Sequence, residues 1–131
     1  MRMVYSLLRG MDNFTRLMKD LFLTLGYDNP RFNIHKPGRE MDIEAVHRTE
    51  KKRMFAECKT TKKKSGGKDI NKFVGTLDAE KRKSPGSAIE GYFVSLSGFK
   101  ESAIEQEKEA GNRVILMDGQ RVIDELIRGA F

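Results

Sequence analysis

The stretch MDIEAVHRTEKKRMFAECKT, residues 41–60, reads as two strands joined by a polar turn. Over residues 41–46, Met41, Ile43 and Ala45 alternate with Asp42 and Glu44, the two-residue period of a strand with one buried face. Residues 48–52 are polar and supply the turn. The second strand, residues 53–60, places Phe55, Glu57 and Lys59 on one face and Ala56 and Cys58 on the other. Folded as a hairpin, the pair lets Asp42 and Glu57 converge beside Lys59, with Glu44 on the same face. Three carboxylates and an ammonium then meet at one edge of a sheet, where the chain runs on into Thr60, Thr61, Lys62, Lys63 and Lys64.

On the N-terminal side, Leu7, Met11, Phe14, Leu17, Met18, Leu21, Phe22 and Leu25 recur at helical spacing and stop at Gly26. This predicts a helix to about Leu25, with Asp12 a candidate cap. Residues 26–40 are turn-rich, with room for one short strand over 31–35. On the C-terminal side, KKKSGGKD (62–69) predicts a flexible loop. Ile70, Phe73, Val74 and Leu77 predict a helix from Asp69 to about Arg82, broken by KSPGS. IEGYFVSLS (89–97) has the nearly continuous apolar centre of a strand buried on both faces. A helix over 101–110 ending at Gly111, a buried strand RVILMD (113–118) and a last helix carrying Val122 to Ile127 complete the chain. The order predicts an α/β fold of three layers, a central mixed β-sheet flanked by helices, with crossovers through helices in the second half.

The chain has 131 residues and a net charge of +6, with 34% charged and 38% hydrophobic residues. That suits a single domain over 1–131 with one sizeable core, standing alone or as a module of a longer protein, and excludes a disordered chain. No run of eighteen apolar residues is present, so no membrane span is expected, and the N-terminus lacks the apolar stretch of a signal peptide. The single Cys58 excludes an internal disulfide and predicts a reducing, cytoplasmic setting. Positive charge gathers in 48–53, 59–68 and 81–83, and a basic balance points to a polyanion, nucleic acid first.

Clustered carboxylates repel one another and are costly to desolvate, and a divalent cation resolves both problems. Mg²⁺ prefers hard oxygen ligands and keeps several waters. Competing readings exist for each residue. Glu57 and Lys59 could be a surface ion pair of little worth, and Asp42 or Glu44 a charge that protects an edge strand. Lys62, Lys63, Lys64 and Lys68 could form a solvated loop, but beside an acidic metal site they, with Lys72, suit a phosphate backbone. Glu50-Lys51-Lys52 repeats the acid-x-Lys form without apolar flanks and is discarded. The spacing of His35, His47 and Cys58 does not support a zinc site.

The pattern Gly38-Arg39-Glu40-Met41-Asp42-Ile43-Glu44 followed by Phe55-Ala56-Glu57-Cys58-Lys59 resembles the PD-(D/E)XK nuclease superfamily, with its restriction-endonuclease-like fold. It is most similar to the Mrr-type restriction endonucleases and the archaeal Holliday-junction resolvases. LFLTLGYD, INKFVGTL and the tail GYFVSLSGFKESAIEQEKEAGNRVILMDGQRVIDEL agree in order and spacing, so the resemblance covers roughly residues 14–127. It implies Asp42, Glu57 and the Cys58 backbone carbonyl as metal ligands and Lys59 as the catalytic lysine. Glu44 is an extra candidate ligand outside the pattern. Many relatives carry a glutamate after an aromatic on the first helix. Here Thr15 follows Phe14, with Asp12 and Asp20 a turn away on either side. The implied activity is a Mg²⁺-dependent endodeoxyribonuclease, with Mn²⁺ as a substitute, of restriction, repair or junction-resolving type, and no small-molecule cofactor. The alternatives are a nucleic-acid-binding domain of this fold without turnover and the nuclease module of a larger defence protein. Cutting two strands with one site per chain favours a homodimer.

Overall fold

A computed structural model describes residues 13–36, 39–109 and 114–130. The elements are α1 (Asn13–Thr24), β1 (Tyr27–Lys36), β2 (Glu40–His47), β3 (Lys52–Lys59), α2 (Gly67–Lys83), β4 (Ala88–Ser95), α3 (Glu101–Glu109), β5 (Val114–Asp118) and α4 (Gly119–Ala130). The five strands form one sheet in the order β1-β2-β3-β4-β5. The first three pair antiparallel, and β3-β4 and β4-β5 pair parallel through α2 and α3. This is the mixed sheet expected. Among the described residues no helix is long and apolar enough to cross a membrane.

The pleat sorts side chains into two cores. Met41, Ile43 and Ala45 of β2, Met54, Ala56 and Cys58 of β3, Tyr92 and Val94 of β4 and Met117 of β5 pack under α1 and α4, against Phe14, Met18, Leu21, Phe22 and Val122. On the other face Phe55, Phe93 and Val114 pack under α2 and α3, against Ile70, Phe73, Leu77 and Ala103. This second core covers β3 to β5 only. On β2 the same face carries Glu40, Asp42 and Glu44, so a charged strip lies alongside α2 where the apolar cover ends.

Three details differ from expectation. β1 is ten residues long rather than a short strand over 31–35. It runs through Pro30 because it is an edge strand, with Asn29 at φ +45° and a register shift between Asp28 and Arg31 that absorb the missing donor. β2 is therefore interior, which removes the edge-guard reading of Asp42 and Glu44. The loop before α2 is also tethered rather than free. Ser65 N–H donates to Gly98 O at 3.0 Å, Lys100 N–H donates to Ser65 O at 2.8 Å, and the Ser97 hydroxyl donates to Thr61 O. Gly26 ends α1 as expected, at φ +102°, where a Cβ would lie 2.5 Å from the His47 ring. The Asp12 cap and the Gly111 stop lie outside the described residues.

Candidate active site

The β2–β3 register sets Glu40 opposite Lys59 and Asp42 opposite Glu57. Thr60 N–H donates to Arg39 O at 2.8 Å. By the alternation of an antiparallel ladder, Asp42 and Glu57 are then a non-hydrogen-bonded pair, the kind whose side chains approach most closely. Two acids on interior strands thus face each other without a choice of rotamer bringing them there.

Lys59 is the centre of a charge cluster. Its Nζ lies 3.4 Å from Asp69 Oδ1, 3.5 Å from Glu40 Oε1 and 3.7 Å from Glu57 Oε2, and 5.8 Å from the centroid of the Phe93 ring. Its side chain is 20% exposed. Burial by itself would pull the ammonium pKa down, but Glu57, Asp69 and Glu40 outweigh it and the net shift is upward. Lys59 is held charged. Burial pushes Glu57 above the ordinary carboxylate range and the Asp42 charge adds to this, while Lys59 and Lys72 oppose it. Burial also acts to raise Glu40, but Lys36, at 3.2 Å, and Lys59 reverse the sign and its pKa is lowered.

On the outer side, His35 of β1 donates from Nε2 to Asp42 Oδ2 at 2.6 Å, and that bond raises the imidazole pKa. Asp69 closes the other side. As the third residue of α2 it accepts the Gly66 N–H on Oδ2 at 2.9 Å, capping the helix, while Oδ1 faces Lys59. Beyond Lys59 opens a cleft of about 860 Å³ whose rim carries Lys63, Lys64, Lys68 and Lys100. Among the described residues no three His, Cys, Asp or Glu side chains gather closely enough to form a metal cage. The Asp42–Glu57 pair is a two-carboxylate donor set, which suits an ion that keeps most of its water.

The profile of a family described as restriction endonuclease, the Mrr catalytic domain, matches residues 10–126. The chain belongs to this family. The fold of this restriction-endonuclease domain also matches a repair endonuclease from Pyrococcus abyssi, with a TM-score of 0.52 and 13% identity, over 82% of this chain and 47% of that one. The chain therefore spans about half the length of that endonuclease. No curated protein matches it by sequence.

In this Mrr-type domain the structure brings Asp42, Glu57 and Lys59 together, and Lys63, Lys64 and Lys68 line the adjoining cleft. Lys72 acts on Glu57 electrostatically. Lys62 is exposed on the same loop but does not line the cleft. Glu44 faces the same way as Asp42 and lines with it a second depression, together with Asn33, Phe55 and Glu80, but its carboxylate is 2.6 Å from Arg31. The Cys58 side chain points into the far core, where burial pushes its thiol pKa well up and leaves it inert. Thr15 is buried on α1, on the opposite side of the sheet, and Asp20 of that helix pairs with Arg16 at 3.7 Å. Sequence reasoning missed Glu40 and Asp69 as partners of Lys59, and His35 as the partner of Asp42. Glu40 had a signal, since it continues the period-two row of Asp42. Asp69 had only a capping signal, and nothing local ties it to Lys59.

Proposed function

We propose that this domain is a Mg²⁺-dependent endonuclease that hydrolyses DNA phosphodiester bonds, with Mn²⁺ able to replace Mg²⁺. The observation that carries the reading is the position of a charged Lys59 beside the facing pair Asp42 and Glu57, with Lys59 itself lining a cleft that carries Lys63, Lys64, Lys68 and Lys100. Asp42 and Glu57 would hold the ion, with the Cys58 carbonyl as a third donor. Glu44, engaged by Arg31, is left outside the set. The fit rests on Glu57, whose partly buried carboxylate resists ionisation beside Asp42, a strain that a hard cation relieves. Bound Mg²⁺ would supply Lewis-acid stabilisation of the phosphate oxygens and a more acidic water.

The rest of the chemistry is the chain's own. Water attacks phosphorus in line with the leaving oxygen, and the P–O bond to that oxygen breaks. Lys59 acts as a cation that orients the nucleophile and stabilises the developing negative charge. A general-base role would require a lowered pKa, and the cluster raises it. Glu40 and Asp69 hold the ammonium together with Glu57. The lysines of the cleft bind phosphates without reading sequence. With one site per chain, cleavage of two strands calls for a homodimer.

A second reading has its own support. Among the described residues α1 brings no carboxylate to this face, since Thr15 is buried on the far side. A nucleic-acid-binding domain without turnover would look the same there. The test is cleavage of plasmid, linear duplex, four-way junction and single strand in Mg²⁺ or Mn²⁺, with Lys59→Ala and Asp42→Asn alongside. Cutting by wild type and by neither variant supports the nuclease. Salt-dependent binding with no cutting in either metal supports the binding domain.

A further inference from the structure

The cleft that opens at Lys59 has two walls built from separate parts of the chain. One is the loop 60–66 with the first turn of α2, carrying Lys63, Lys64 and Lys68. The other is the β4–α3 turn with the first turn of α3, carrying Lys100 and Ser102. The walls are pinned together. Ser65 and Phe99 form an isolated parallel bridge. The buried Ser65 hydroxyl donates to Ser95 Oγ at 3.1 Å, which donates to Gly98 O at 2.8 Å, and Gly67 N–H donates to Ser102 Oγ at 3.1 Å. Contact is tight enough that a Cβ on Gly67 would lie 2.9 Å from the Ser102 carbonyl oxygen.

Lys100 is therefore fixed in place relative to the other lysines although it lies far from them in sequence. Its side chain is exposed, and among the described residues neither it nor Lys63, Lys64 or Lys68 makes an ion pair. Among the described residues these four cations have no ion-pair partner, unlike Lys36, Lys52, Lys59 and Lys83, which do. Free ammoniums on two rigid walls are what a phosphodiester backbone binds. Farther along α3 the cleft is bordered by Glu105 and Glu109, which repel phosphate and close the path beyond Lys100.

We propose that Lys100 is a nucleic-acid contact, the second wall of a groove that clasps one phosphodiester backbone between the β4–α3 turn and the basic loop and leads it to Lys59. The inference rests on the nucleic-acid reading of the site. The test is fluorescence anisotropy with a short DNA duplex, without divalent metal so that nothing is cut, over a series of NaCl concentrations. Wild type is compared with Lys100→Ala, Lys100→Arg, Lys64→Ala and Lys81→Ala. Lys81 serves as the charge-loss control, about 20 Å along α2 from Lys68 at 1.5 Å per residue. The expected result is that Lys100→Ala, like Lys64→Ala, weakens binding and flattens the slope of log affinity against log salt by about 0.9. Lys100→Arg should keep the wild-type slope, which separates the charge from any effect on the turn. Lys81→Ala should do nothing. If Lys64→Ala flattens the slope and Lys100→Ala behaves like Lys81→Ala, the two-walled groove is wrong while the nucleic-acid reading stands. If wild type shows no salt-dependent binding, both fall.

Discussion

Lys59 is surrounded by Glu40, Glu57 and Asp69. This makes it a fixed cation, and its loss should be felt in the chemical step. Lys59→Ala is expected to lower cleavage by about 10²–10³-fold, the loss typical of one group that stabilises transition-state charge, with DNA affinity in metal-free buffer nearly unchanged. Single-turnover cleavage and anisotropy check the two halves. Glu57 leads to a different expectation. Its pKa in the folded chain is raised by burial and by Asp42, above the ordinary 4.5. A raised carboxyl contributes stability below its unfolded pKa and loses it as pH rises through the folded value. At neutral pH the charged form is thus a burden on the metal-free fold. Glu57→Gln should melt a few degrees higher than wild type at pH 7, the difference should vanish as pH falls below about 4, and cleavage should be lost. Melting curves without metal across this pH range check it, and a lower melting temperature at pH 7 would contradict the burial argument.

At the scale of elements, α2 begins where the basic loop ends, and Asp69 belongs to both. One oxygen caps the helix through Gly66 N–H and the other faces Lys59. Two substitutions separate these roles. Asp69→Asn keeps an acceptor for the cap and should leave the melting temperature close to wild type. Asp69→Ala should destabilise by about 1 kcal/mol, as loss of a cap does. Both should reduce cleavage, since both remove a charge from Lys59. Equal cleavage by wild type and Asp69→Asn would reduce Asp69 to a cap. The turn between α1 and β1 is as demanding. Gly26 has φ +102° and a Cβ there would strike His47, so Gly26→Ala should cost roughly 1–2 kcal/mol from the backbone alone, read by urea unfolding.

For the whole molecule, one sheet with helices on both faces leaves a charged strip on β2 where the α2 cover stops, and the site sits on that boundary. On the proposed function one site cuts one strand, so sedimentation of wild type should show a dimer of the 15.0 kDa chain. The facing of Asp42 and Glu57 was legible in sequence because a strand's two-residue period is rigid: with Met41, Ile43, Ala45, Ala56 and Cys58 turned to one core, Asp42 and Glu57 share the other face. The helices were legible for the same reason, through their apolar repeat and stops such as Gly26. β1 was legible only in part, because an exposed edge strand carrying Pro30 and a bulge has no alternation to read. The loop before α2 reads as flexible because its Ser-Gly-Gly composition is permissive, and only bridging to the β4–α3 turn, some thirty residues on in sequence, removes that freedom. By itself, then, the sequence determined the order of elements, the mixed sheet and the strand face on which Asp42, Glu57 and Lys59 lie, since each follows from local periodicity, while the choice of these three as a site came from the resemblance to a nuclease family. Tertiary structure alone decided which acids hold Lys59, that Glu44 pairs with Arg31, and that Lys100 lines the same cleft as Lys64. Those depend on where distant segments come to rest, and no local period carries that information.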